Sequence, residues 1–266
     1  MTSLATYRAS RELFNNLALR ELRSKYKRSF LGFAWSLANP LAMMLVYTLV
    51  FKYFLHIKPD PGVPSGLNVF ALFLLCALLP WNFFQLSVST CIGSLTANES
   101  LIKKTYFPRE VLPGATVGAN LVFHLIEMGL LLVALLAFGN WRAIVYLPFV
   151  VLLTLLMSLF ALGFGLMLSA FNVYFRDIQH FMGILFLVWL YLTPIIYPLS
   201  YVPAHYQSLL KINPMTDASL CYRAAWYDGT TPGWLQLAYF AAWSVGMLAV
   251  GLIVFNRLEP GLAEEL

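Results

Sequence analysis

Apolar residues run through this chain in long, nearly unbroken stretches rather than on one face of an alternating pattern. Six of them stand out, at 30–54, 67–95, 112–138, 144–171, 181–198 and 234–255. A helix needs roughly 20 apolar residues to cross a bilayer. The pattern therefore predicts an all-α integral membrane protein with six transmembrane helices, forming one domain over residues 1–266. The second and fourth runs are long enough to tilt or bend, and Pro80 marks an expected kink in the second. The fifth run is short and ends in Thr193-Pro194-Ile195-Ile196-Tyr197-Pro198, where two prolines predict that helix breaks.

Outside the apolar runs, two segments have patterns of their own. Residues 10–28 read as a basic, amphipathic helix. Leu13, Leu17 and Leu22 fall near one face, and Arg11, Arg20, Glu21 and Lys25 lie elsewhere. Such a helix ahead of a first span belongs in the membrane interface, and it also serves as a topology anchor. The segment 199–233 is the longest stretch between spans, yet it carries Tyr201, Tyr206, Leu209, Leu210, Ile212, Tyr222, Trp226 and Tyr227. That content predicts short re-entrant helices dipping into the outer leaflet. Residues 1–28 lack the short apolar core of a cleavable signal, so the first apolar run is expected to remain in place.

Composition agrees with the bilayer reading. Hydrophobic residues make up 60% of the chain and charged residues 11%, against about 25% charged in soluble domains. The net charge is +5, but the basic residues cluster at the ends of apolar runs, which points to topology rather than nucleic acid. Arg8, Arg11, Arg20, Arg23, Lys25, Lys27, Arg28, Lys103, Lys104, Arg109, Arg176 and Arg257 fall on one side, twelve of the seventeen Lys and Arg residues. Lys52, Lys58, Arg142, Lys211 and Arg223 fall on the other. By the positive-inside rule both termini are expected in the cytoplasm. Cys76, Cys91 and Cys221, the last in a polar loop, form neither a disulfide framework nor a metal motif.

The chain has no GxxxxGK[ST] loop, HExxH, GxSxG or metal-spaced His/Cys cluster. No catalytic residue, cofactor site or metal site is expected on it. If ATP drives its work, another chain hydrolyses it. Four features invite attention. The segment 98–110 between the second and third runs is charged yet keeps Leu101, Ile102, Tyr106 and Phe107. It reads either as a short helix docking into a partner's groove or as an interfacial turn with aromatic anchors. His124 and Glu127 lie inside the third run, three apart and so on one helix face. They are positioned to pair and hold the bundle, or to act on substrate or protons. Aromatic residues gather on the first and fifth runs, at Tyr47, Phe51, Tyr53, Phe186, Trp189, Tyr191 and Tyr197, where rings and hydroxyls would suit the faces and edges of sugars. Gly114 and Gly118 form GxxxG, and Gly163 and Gly165 lie in the fourth run, all permitting close helix packing.

Four blocks, in order along nearly the whole chain, carry a resemblance. The first is the basic stretch from Arg20 followed by Leu31-Gly32-Phe33-Ala34-Trp35-Ser36-Leu37-Ala38-Asn39-Pro40. The second is Leu101-Ile102-Lys103-Lys104 through Tyr106-Phe107-Pro108-Arg109-Glu110 and Leu112-Pro113. The third is Asn172-Val173-Tyr174-Phe175-Arg176-Asp177-Ile178. The fourth is Thr193-Pro194-Ile195-Ile196-Tyr197 with Asn213-Pro214-Met215. Together they resemble the permease subunits of type-2 ABC exporters for polysaccharides, a group that handles O-antigen, capsule, teichoic acid and related cell-wall glycans.

The resemblance implies a homodimer in the bacterial inner (plasma) membrane, each copy binding one separate ATPase subunit that carries ATP and Mg. It implies coupling to that ATPase through a short cytoplasmic helix with Leu101, Ile102, Lys103, Lys104, Tyr106, Phe107 and Arg109, and through the interface helix. It implies a conduit between protomers lined by the first and fifth spans, with Tyr47, Phe51, Phe186, Tyr191 and Tyr197 as lining candidates. The cargo would be a glycan on a polyprenyl diphosphate. The run Arg20, Arg23, Lys25, Lys27 and Arg28 would attract that headgroup, or serve topology alone. The competing readings are a type-2 ABC exporter of drugs or lipids and a membrane-embedded glycan-modifying enzyme. The second needs convergent carboxylates or histidines, which only His124 and Glu127 approach. A secondary transporter is disfavoured because no inverted repeat with paired broken helices is visible.

Overall fold

A computed structural model describes residues 4–24, 35–54, 56, 60–105 and 107–265. Lys25, Lys27, Arg28, Tyr106 and the start of the first apolar run lie outside them. Among the described residues every regular element is a helix. Helix α1 spans Leu4–Ser24. Helix α2 spans Trp35–Tyr47 and runs on as a π-helix over Thr48–Phe54. Helix α3 is Phe70–Ile92, and α4 is the short Glu99–Lys104. Helix α5 is Val111–Ala137, α6 is Arg142–Val145, α7 is Leu147–Tyr174 and α8 is Ile178–Tyr191. Helices α9, Ala204–Leu210, and α10, Pro214–Arg223, follow, and α10 opens into a π turn over Ala224–Asp228. Helix α11 is Trp234–Leu258, and α12 is Leu262–Glu265.

Phe70–Ile92, Val111–Ala137, Leu147–Tyr174 and Trp234–Gly261 are long and apolar enough to cross a membrane. The apolar helices Leu41–Phe54 and Ile178–Tyr191 are shorter. With almost no water available, a crossing segment must satisfy its backbone internally, and a helix does so. Helix α3 continues through Pro80.

Helix α3 is apolar all round because it is enclosed, with α5, α7, α8 and α10 packed about it. Its middle carries an aromatic layer. The Phe84 ring lies 5.2 Å from Phe160 and 5.9 Å from Phe186, and Trp81 lies 5.9 Å from Trp189. Helices α7 and α11 make the closest backbone crossing. A Cβ on Gly163 would fall 2.5 Å from the carbonyl of Met247, and one on Gly251 would collide with the Gly163 backbone. Only glycine on both sides allows this approach, which substitutes van der Waals contact for the hydrophobic drive that lipid does not supply. Leu125, Leu130 and Val133 on α5, and Val245, Val250 and Ile253 on α11, are exposed apolar side chains that a bilayer would cover.

The segment 199–233 is not an open loop. Helix α10 is driven inward, and Cys221, expected in polar surroundings, is fully buried with Met215, Ala218 and Tyr222. Met215, Tyr222, Trp226 and Tyr227 form part of the main core, whereas Tyr201, Tyr206, Leu209 and Ile212 are exposed.

Candidate functional site

The site divides into two ends of the bundle. At the end formed by α1, α4, α12 and the adjoining tips of α5, α7 and α11, a second apolar cluster contains Leu17, Ile102, Phe107, Leu112, Phe255 and Leu262. Phe14 packs into the groove left by Gly114 and Gly118, whose absent Cβ atoms would sit 3.5 and 3.1 Å from its ring. Four hydrogen bonds lace the elements together. Arg20 Nη2 donates to Asn98 Oδ1 at 2.6 Å, and Asn98 Nδ2 donates to the Ser94 carbonyl at 2.8 Å. Arg109 Nη1 donates to the Glu259 carbonyl, and the Tyr174 hydroxyl to that of Leu258. Arg23 is exposed.

This packing accounts for three of the large apolar residues of the 98–110 segment, Leu101, Ile102 and Phe107. Ile102 and Phe107 face the internal cluster at 6% and 9% exposure, and Leu101 lies half-buried against it. Arg109 is likewise turned inward. The surface left open carries Glu99, Ser100, Lys103, Lys104 and Thr105. Lys103 Nζ lies 2.7 Å from Glu99 Oε1, one helical turn away, and holds that carboxyl below the usual range. Ile102, Lys103, Lys104, Thr105, Phe107 and Arg109 line a cavity of about 240 Å³ with a basic mouth.

His124 and Glu127 do not form the expected pair. The His124 ring is buried and stacked on Phe83, 4.6 Å between centroids with 16° between planes. Neither ring nitrogen has a hydrogen-bond partner, so the His124 ring is not bonded to Glu127. Glu127 is half-buried. Asn120, one turn away on the same helix, donates to Thr90 Oγ1 at 3.0 Å and ties α5 to α3.

The opposite end holds the aromatic candidates. Tyr47 and Phe51 flank the start of the π-helix with rings 6.1 Å apart, both half-buried. Tyr191 is 50% exposed, and the Tyr197 hydroxyl donates to its carbonyl at 2.9 Å. Phe186 stands apart. It is 1% exposed inside the aromatic layer, because its position on α8 faces α3. It does not line an open surface here.

Sequence reasoning missed the polar hub at this end. Arg223, counted above as a topology marker, is 4% exposed. Its guanidinium donates to the carbonyls of Phe73, Pro194 and Ile195 and lies 3.6 Å above the Phe73 ring. Burial pushes its pKa down to about 9. Asn140 Nδ2 donates to the Trp226 carbonyl at 2.7 Å, and the Tyr227 hydroxyl to that of Leu67 at 3.0 Å. Burial raises the Asp217 and Asp228 carboxyls to about 6, in Asp228 against the opposing pull of Arg223. The signal available was an arginine set among Cys221, Tyr222, Ala224, Ala225 and Trp226, a poor setting for a solvated charge. Among the described residues no group of His, Cys, Asp or Glu side chains is placed to hold a metal ion.

Comparison with known proteins places this arrangement. The O-antigen export system permease protein of Myxococcus xanthus is 34% identical over 260 residues, covering 96% of each chain. A protein of the same name from Klebsiella pneumoniae is 29% identical, over 92% of this chain and 91% of its own. The polysialic acid transport protein KpsM of Escherichia coli is 25% identical over 92% of this chain and 93% of its own. The description ABC-2 type transporter matches residues 12–225, and the chain belongs to that family.

Proposed function

We propose that this chain is the membrane-spanning permease of an ATP-driven exporter that moves a lipid-linked polysaccharide across the bacterial inner membrane. In this reading α2 with its π extension and α8 complete six crossings, with both termini in the cytoplasm. The permease works as a homodimer with two copies of a separate ATPase. It makes and breaks no covalent bond itself. ATP and Mg belong to the partner.

The observation that carries the reading is the similarity over 96% of the chain to an O-antigen export permease. The structure adds a physical rationale. The end bearing α1 and α4 is one apolar cluster joined to the tips of α5, α7 and α11, so force applied at α4 reaches those helices through packed side chains. Its exposed lysines, one of them paired only with Glu99 across a helical turn, offer a charged landing surface for the ATPase. At the far end Tyr47, Tyr191 and Tyr197 present hydroxyls and ring faces suited to sugar units.

The test is affinity purification of the tagged chain from its native membranes. A Walker-motif ATPase is expected in near-equal amount, and vesicles holding the pair should export a polyprenyl-diphosphate glycan on ATP addition. Lys103→Glu with Lys104→Glu should release the ATPase and leave the permease folded, because surface changes of this kind cost within about 0.5 kcal/mol. Failure to recover any ATPase under conditions that keep such complexes intact would overturn the reading.

A further inference from the structure

We infer that Arg223 is a positioning residue for export: with Asn213 it makes α10 a two-ended clamp that fixes the broken outer end of α8 to α3. The inference rests on the export reading for its consequence, but its geometry stands alone. Helix α8 stops at Tyr191, and Pro194 has no N–H with which to continue it. The break leaves carbonyls without helical donors in a buried setting, where an unpaired polar group costs several kcal/mol.

Helix α10 answers this from both of its ends. At its start, Asn213 accepts from Met215 N at 3.0 Å and from Trp189 Nε1 at 2.9 Å, and donates to Thr193 Oγ1 at 2.8 Å. At its last residue, Arg223 gives Nη1 to the Pro194 carbonyl and Nη2 to that of Ile195. Its Nε reaches the Phe73 carbonyl of α3 at 3.2 Å. No carboxylate among the described residues lies in direct contact with the guanidinium, and Asp228 acts on it only from a distance. Among the described residues the ion pairs are Arg20 with Glu21 and Lys103 with Glu99. The guanidinium spreads five donors over three nitrogens in a fixed plane and so spans carbonyls on two elements, whereas the three donors of a lysine ammonium all diverge from one nitrogen.

Below the clamp, α8 is held from one side only, through Met182, Phe186 and Leu190. Phe181, Ile184, Leu187 and Val188 are exposed on its outer face. The clamp therefore sets where Tyr191 and Tyr197 stand relative to α3. The clamp turns a helix end with no partner of its own into a fixed edge of the sugar path.

The experiment uses the complete permease–ATPase complex in proteoliposomes and compares wild type with Arg223→Lys and Asn213→Ala. Arg223→Lys is expected to keep ATP turnover within about twofold while export falls at least about tenfold, as misplacement near 1 Å does elsewhere. Amide exchange at Thr193, Ile195, Ile196 and Tyr197 should speed by at least about tenfold, with the middle of α3 unchanged. Asn213→Ala should give the same split from the other end. Wild-type export in Arg223→Lys, unchanged exchange at the break, or ATP turnover and export falling together in both variants would overturn the clamp. If Arg223→Lys does not reach the membrane, Asn213→Ala decides by the same readouts. If no ATPase joins the wild-type chain, the export reading fails and the exchange result alone judges the clamp.

Discussion

The two ends of this bundle are held by different forces. At the lysine-bearing end, α1, α4 and α12 adhere through apolar side chains, with Phe14 in a glycine groove and Ile102 and Phe107 buried, and only a few hydrogen bonds cross between elements. At the opposite end, α10 and its π turn are bound by directed donors: Arg223 to three carbonyls, Asn140 to Trp226, Tyr227 to Leu67 and Asn213 to Thr193. Apolar contact is non-directional and tolerates sliding. A buried network of charged and amide donors loses much when any member shifts. The first end is held by contacts that allow small shifts, and the second by bonds that resist them.

Both ends hang on the crossing of α7 and α11, so the comparison breaks first there. Gly163→Leu should abolish recovery of folded protein, a loss beyond about 4 kcal/mol, because its side chain would enter the Met247 backbone. Size-exclusion profiles in mild detergent would read it, and a monodisperse mutant would mean that the crossing is looser than described. Next comes Phe14→Ala, expected to cost about 3 kcal/mol by emptying the groove over Gly114 and Gly118. Hydrogen exchange should rise at α1 and α4 and stay unchanged at α10. Spread of the effect to α10 would merge the two ends into one unit. Tyr227→Phe should act in the reverse place and more mildly, by about 1 kcal/mol, since one hydroxyl bond to Leu67 is lost. Protease nicking in 60–69 would report it.

The smallest effect concerns pH. The folded pKa values of Asp217 and Asp228 are raised to about 6 by burial, above the unfolded carboxyl value. The folded state therefore holds these protons more tightly, and their stabilising contribution is full below the unfolded pKa and lost as pH rises through about 6. Melting curves should show Asp228→Asn flattening the decline between mildly acidic and neutral pH by a few degrees. An unaltered slope would remove Asp228 from the account.

The helices were legible because lipid demands long apolar runs, and such runs announce themselves. Whether a given apolar residue serves the chain or a partner was not. Ile102 and Phe107 read as docking residues by type, and only their depth in the cluster with Leu112 and Leu262 reveals the internal duty. Phe186 was placed on the right helix, but the face it presents depends on where α3 lies, which no local pattern encodes. The 199–233 segment read correctly as aromatic-rich, yet Arg223 was assigned by charge to the surface. Three carbonyl partners from two distant stretches of chain make its burial affordable, and sequence distance hides them. The GxxxG pair was visible as a close-packing signal, while its occupant, Phe14, lies a hundred residues away.

The π-helix that ends α2 gives that segment a property the other membrane-crossing helices do not share among the described residues. Each π turn closes over one more residue than an α turn, so Thr48–Phe54 stores surplus chain along its axis. Winding it back to α geometry would lengthen the rod and swivel Phe51, which now packs against the main core, about its axis. The rod thus carries its own slack, as a cable carries a service loop.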